Sequence, residues 1–191
     1  MTLPVIIVAG LGRCGTSLVM QMLAAAKVPT LGAYPAFEDG INMRLPDLDA
    51  QREFYERCPG RAVKLIDPHL HAPPVGLDYR CIFLTRNTTQ QARSILKLVG
   101  VPNDRRARRA MEASVRQDTS RARAAVERIG SGRFLQLGFE ELIHDPAMAA
   151  SRIALWAGVT RPHFVLDAMA RVVRRRPTAC LPYLMELEMI P

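Results

Sequence analysis

The sequence predicts an α/β fold, a three-layer sandwich around a mainly parallel sheet. Three observations predict it. Val5–Ala9 is a continuous apolar, β-branched run, the pattern of a strand buried on both faces. Such runs alternate with helical patterns along the chain, which is the order of βαβ units. A glycine-framed loop joins the first strand to the first helix, and in parallel sheets ligands sit beyond the carboxyl ends of the strands.

The elements follow in order. After Val5–Ala9, Thr16–Ala26 reads as a helix, with Leu18, Met22 and Ala25/Ala26 near helical spacing. Val28–Arg44 is rich in Gly, Pro and aromatic residues and reads as a long loop. Asp47–Cys58 reads as a helix with Asp47 as its N-cap. Arg61–Ile66 is a second strand, Asp67–Gly76 a loop with Pro and His, and Arg80–Thr85 a third strand. Thr88–Val99 is a helix stopped by Gly100 and Pro102. Asn103–Ile129 is a long helical stretch, interrupted at most once, that ends in Gly-Ser-Gly. Arg133–Leu137 is a fourth strand, and Asp145–Ala157 and Pro162–Val173 are further helices.

Composition narrows the class. The 191 residues suit one domain over 1–191, large enough for a sheet covered on both faces. Hydrophobic residues make up 49% and charged residues 23%, with mean hydropathy +0.02 and no repeat, so disorder is not expected beyond the last few residues. The apolar N-terminal stretch lacks a basic leader and contains Arg13, which argues against a secretion signal. No run reaches the roughly 18 apolar residues that a membrane span needs. Cys14, Cys58, Cys81 and Cys180 are far apart with no C-x-x-C pair, a pattern of buried reduced thiols in a cytoplasmic protein. The net charge of +8 points to an anionic partner. Nucleic acid is not expected, because no binding motif is present and aromatics make up only 6%.

The loop Gly10-Leu11-Gly12-Arg13-Cys14-Gly15-Thr16-Ser17 carries the chemistry. Its G-x-x-x-x-G frame and closing hydroxyl are those of a P-loop, so the sandwich is expected to be P-loop NTPase-like. Gly10, Gly12 and Gly15 let backbone N–H groups turn toward an anion at the positive end of the next helix. Thr16 and Ser17 offer hydroxyls, and Arg13 a planar, permanent charge that bridges two oxygens. The usual loop lysine is replaced by Thr16. Cys14, at a helix N-terminus, is either a reactive thiol or a small residue that fits the turn.

A second candidate anion site is Arg86, just after the third strand, with Ser94 eight residues on and about two turns into the following helix. The loop and this pair together suit two separate phosphate groups.

These motifs resemble those of sulfotransferases that use 3′-phosphoadenosine 5′-phosphosulfate. Arg13-Cys14-Gly15-Thr16-Ser17 is similar to the family's [KR]-S-G-T-[ST] loop, and Arg86 to Ser94 to its strand-end arginine and helical serine. Arg133–Val159 resembles its strand followed by a Y-E-[DE]-L-x-x-[DN]-P turn and helix. The resemblance implies that Gly12, Arg13, Cys14, Gly15, Thr16 and Ser17 hold the 5′-phosphosulfate, and Arg86 and Ser94 the 3′-phosphate. It implies in-line transfer of a sulfuryl group to a hydroxyl or amine of a small-molecule or glycan acceptor, with no metal. Arg13 would stabilise charge on the leaving phosphate, and Lys64 the sulfuryl group. A base within hydrogen-bond reach of the acceptor is needed. The candidates are Asp67 and His69, then His71, Glu38 and Asp39.

The chain departs from that pattern in places. Leu18 follows the loop where many members have an adenine-stacking aromatic, and Asn87-Thr88 replaces an acidic-Pro pair. The family's basic C-terminal loop is not recognisable, and Arg174-Arg175-Arg176 is the candidate substitute for it. His69 and His71 form an H-x-H pair with no evident third metal ligand. The Arg-rich stretch Asn103–Arg128 reads either as a solvated helix face or as a surface for an acidic acceptor. The readings set against sulfuryl transfer are a small-molecule or nucleotide kinase with a degenerate P-loop, and a non-catalytic phosphonucleotide-binding module.

Overall fold

A computed structural model describes residues 3–38, 47–160 and 162–173. Its centre is a four-stranded, all-parallel sheet in the order β2-β1-β3-β4. The strands are β1 (Val5–Gly10), β2 (Ala62–Ile66), β3 (Tyr79–Thr85) and β4 (Phe134–Gly138). The helices are α1 (Thr16–Ala25), α2 (Leu48–Glu56), α3 (Thr88–Leu98), α4 (Arg105–Ile129), α5 (Phe139–His144), α6 (Pro146–Ala157) and α7 (His163–Arg171). The expected α/β class and parallel sheet are what the structure contains.

Strand periodicity divides the core in two. Successive side chains of a strand point to opposite faces, and β1 is buried along its whole length. Ile6 and Val8, with Ala62, Ile82, Leu84 and Leu137, pack against α1, α6 and α7. Val5, Ile7 and Ala9, with Val63, Leu65, Cys81 and Phe83, pack against α2 and α4. Helices on both faces make the three layers. β1 and β3 lie in the middle, which is why the sequence shows no apolar/polar alternation there.

Boundaries match the sequence expectation to within a residue or two. Asp47 caps α2, its carboxylate accepting from the Ala50 N–H at 2.8 Å. The long stretch before β4 is one unbroken helix, α4, capped by Asp104. The added element is α5, where a short helix was not expected. Gly138 begins it, and Glu141 Oε1 accepts from the Gly138 N–H at 3.0 Å. Six residues carry too little periodicity to stand out. Among the described residues no helix is long and apolar enough to cross a membrane.

Phe83 lies at the centre of the sheet on the α4 side, fully buried and edge-on to Phe134 with ring centroids 6.1 Å apart. Phe83→Ala should cost about 3–5 kcal/mol of unfolding free energy, read from a lowered urea midpoint at unchanged slope. A smaller loss would mean that the two faces do not share one cooperative core.

Candidate active site

Two constraints shape the loop after β1. Gly10 is the last residue of β1, where an added Cβ would lie 2.9 Å from the Leu84 carbonyl oxygen and collide with the Cys14 sulfur. Gly15, at φ 103°, starts α1, and a Cβ there would meet the Phe139 ring at 2.7 Å. Arg13 also adopts a left-handed conformation, φ 67°, which is costly for a residue with a side chain. The loop is therefore wound tightly over the carboxyl end of the sheet. No side chain caps α1 and no acid lies in its first turn, so its positive end is left to an anion.

Contacts distant in sequence hold this loop. Arg13 Nε donates to Ser94 Oγ at 2.9 Å, and Arg86 Nη1 donates to the Arg13 carbonyl at 3.1 Å. Gln91 Nε2 donates to the Gly12 carbonyl at 2.8 Å. Asn87 caps α3, accepting from the Gln90 N–H, and its own N–H donates to Glu140 Oε1 at 2.9 Å. The Arg86 guanidinium lies 4.4 Å over the Phe139 ring. The candidates for two separate phosphates, Arg13 and the Arg86–Ser94 pair, thus form one connected cluster.

Gln91 and Phe139 were not among the expected site residues. Asn87, Gln91 and Ser94 recur at i, i+4 and i+7 along α3, so helical spacing from Ser94 would have pointed to Gln91. Phe139 belongs to the segment after β4 whose likeness to the family was noted, yet its aromatic type alone does not say that it lies under an arginine.

Thr16 and Ser17 are buried. Ser17 Oγ accepts from Lys64 Nζ at 2.8 Å and donates to the Ala36 carbonyl at 3.3 Å. The Lys64 ammonium also donates to the Ala36 carbonyl at 2.8 Å and to Glu38 Oε1 at 2.7 Å. Lys64 thus ties the first turn of α1 to the loop ending at Glu38, whose carboxylate is mostly exposed. Asp39 and Arg174–Arg176 lie outside the described residues.

Asp67 and His69 belong to the other face. Asp67 follows β2 with φ 51°, and its N–H donates to the Gly10 carbonyl at 3.0 Å. Burial pushes its carboxyl above the usual carboxylate range, against the opposing pull of His69, the Gly12 N–H and His71, while Asp118 adds to the rise. His69 Nε2 is 3.8 Å from Asp118 Oδ1 on α4, and its Nδ1 is buried without a hydrogen bond among the described residues. Asp67 is therefore the base candidate that adjoins the loop, and His69 is turned toward α4. Among the described residues no group of three His, Cys, Asp or Glu is placed to hold a metal ion.

Burial pushes the Cys14 thiol up to about 12, and the Thr16 and Cys14 N–H groups and the Lys64 charge do not offset it. Of the two readings of Cys14, the small residue that fits the turn is the one this environment supports. Iodoacetamide at pH 8 should leave Cys14 intact in the native protein while labelling it in urea, as read by peptide mass spectrometry. Rapid native labelling would instead identify a thiolate.

No protein-family model matches the sequence, and no curated protein matches it. Solved structures do. Retinol dehydratase in complex with androsterone and the inactive cofactor PAP matches with TM-score 0.54 at 18% identity, over 89% of this chain and 64% of that one. A mouse sulfotransferase complexed with PAP matches with TM-score 0.55 at 12% identity, over 90% and 64%. A sulfotransferase from Mycobacterium avium matches with TM-score 0.53 at 16% identity, over 98% and 76%. The chain thus spans a little under two thirds of the first two proteins. At these identities the likeness establishes the fold.

Proposed function

We propose that this chain, which has the sulfotransferase fold, transfers a sulfuryl group from 3′-phosphoadenosine 5′-phosphosulfate to a hydroxyl or amine by in-line displacement. The observation that carries this reading is the cluster of Arg13, Arg86 and Ser94 at the uncapped N-terminus of α1. PAP, the desulfated form of that donor, is present in two of the matched structures.

The residues suit such a ligand. A helix N-terminus without a first-turn acid and two arginines make a donor set for anions and a poor one for neutral groups. The donor, when bound, supplies a sulfuryl group on a phosphate leaving group. The first-turn N–H groups of α1 and the Arg13 fork hold the 5′ end and offset charge growing on the leaving oxygen. Arg86 and Ser94 hold the 3′-phosphate, with Phe139 setting the plane of the Arg86 guanidinium. Lys64 braces Ser17 and adds positive charge from the α1 face. Asp67 takes the proton of the acceptor, and its raised pKa makes it the stronger base. His69 lines the same corner between Asp67 and α4.

Thermal shift with 3′-phosphoadenosine 5′-phosphate against ATP–Mg²⁺ tests the reading. The bisphosphate should stabilise the protein, and stabilisation by ATP–Mg²⁺ alone would favour a kinase. Arg86→Ala should weaken the bisphosphate by about tenfold or more beyond its effect on adenosine 5′-phosphosulfate, which it also weakens through the lost hydrogen bond to the Arg13 carbonyl. Equal losses would remove Arg86 from the 3′-phosphate. Bisphosphate binding without turnover on pooled acceptors and a labelled donor would leave a binding module.

The Asp67 carboxyl has a raised pKa in the fold, so its contribution to stability is complete below the ordinary carboxylate range and is lost as pH rises through the raised value. Asp67→Asn should therefore melt at or above the wild type at pH 8, with the gap closing toward pH 4. Its turnover should be strongly reduced, because an amide accepts no proton. Full activity would transfer the role of base to another residue.

A further inference from the structure

The turn between α3 and α4 presents three aliphatic side chains to solvent. Leu98, Val99 and Val101 are 60%, 57% and 43% exposed. They do not hang on a loose connection. The Val101 N–H donates to the Leu96 carbonyl at 3.0 Å and the Gly100 N–H to the Lys97 carbonyl at 3.2 Å, which closes the end of α3. Leu96 is buried and Ile95 packs on the core shared with α4, so the turn is anchored from inside. Beyond the link, Asp104 caps α4, its carboxylate accepting from the Ala107 N–H at 2.8 Å. The turn is thus a preformed shape whose aliphatic groups point outward.

Cations surround this tip. From Arg93 to Arg109 the chain holds six basic residues and one carboxylate, that of Asp104. Arg93 and Lys97, four residues apart, lie on the exposed side of α3. Arg105, Arg106 and Arg109 are exposed on the first two turns of α4, with no ion pair among the described residues. Only Arg108 has an acid at hand, Glu112 at 3.9 Å. Val115 and Ala122 lie in the core and Met111 packs on it, so Arg105 and Arg109 share the outward flank of α4, away from Asp118 and the corner of Asp67. Like charges so crowded repel one another, and an anionic surface relieves that repulsion.

We propose that the α3–α4 turn docks the protein on an anionic lipid surface, with Leu98, Val99 and Val101 entering the interface and the cations around them meeting the headgroups. An aliphatic tip ringed by cations matches both layers of such a surface: the side chains leave water at the acyl boundary, and guanidinium groups pair with lipid phosphates and carboxylates. Nucleic acid would meet the cations but leave the aliphatic groups in water. Between Asn87 and Ile129 no aromatic residue offers bases a platform. A second copy of this chain, docked turn to turn, would set the same cations against each other. The docking is independent of which group the candidate site transfers.

Flotation of the full chain with lipid vesicles tests the docking. Equimolar phosphatidylserine–phosphatidylcholine vesicles should carry the protein and release it as salt rises, and phosphatidylcholine alone should not carry it. The triple variant Arg105→Ala, Arg106→Ala, Arg109→Ala should lose about tenfold or more in partitioning. The triple variant Leu98→Ser, Val99→Ser, Val101→Ser should also lose about tenfold or more, with its salt dependence unchanged because the cations remain. All six positions are exposed, so both variants should melt with the wild type. No vesicle binding by the wild type, or equal binding to neutral vesicles, would overturn the proposal. Full vesicle binding by the serine variant would overturn it too, since the cations alone would then account for the contact. Release from the vesicles by single-stranded DNA at equal phosphate concentration would overturn it in favour of a nucleic acid partner.

Discussion

The hydrogen bond from Arg86 to the Arg13 carbonyl is the contact on which the site depends. It joins the end of β3 to a loop residue held in a left-handed conformation. A strained turn persists only when its surroundings over-determine it. Here the surroundings are Ser94 on the Arg13 side chain, Gln91 on the Gly12 carbonyl and Phe139 against both Gly15 and Arg86. Ser94 and Gln91 come from α3, after β3, and Phe139 from α5, after β4. The loop after β1 is thus held from β3, α3 and α5, not by its own sequence alone.

Strand parity explains how the remaining polar groups are shared out. Lys64 lies in β2 opposite Val8, whose side chain faces α1, so the ammonium arrives beneath the first turn of α1. Asp67 lies three positions later and comes to the α4 side, with His69 and Asp118. Strand β2 and the loop that follows it therefore deliver a cation and a carboxyl to opposite sides of the β1–α1 loop.

Much of the fold was legible because buried parallel strands and amphipathic helices leave periodic signals. The strand–loop–helix start, the cap at Asp47 and the arginine after β3 were all visible as residue patterns. The α5 helix was not, since six residues hold less than two turns. For the base candidates, spacing placed Asp67, His69 and His71 in one loop but did not say which one adjoins Gly12. Burial decided that, by setting Asp67 at the loop and turning His69 toward α4.

By itself the sequence determined the α/β class, the position of the glycine-framed loop and the types of group that surround it. These follow from local chemistry: glycines permit the turn, a helix start supplies N–H donors, and arginines supply lasting charge. Only the tertiary structure decided that Arg13 and Ser94 touch, that Phe139 lies under Arg86 and that His69 meets Asp118 on α4. Those facts depend on strand order and crossover geometry, which bring together residues up to 81 positions apart. No local pattern encodes that distance.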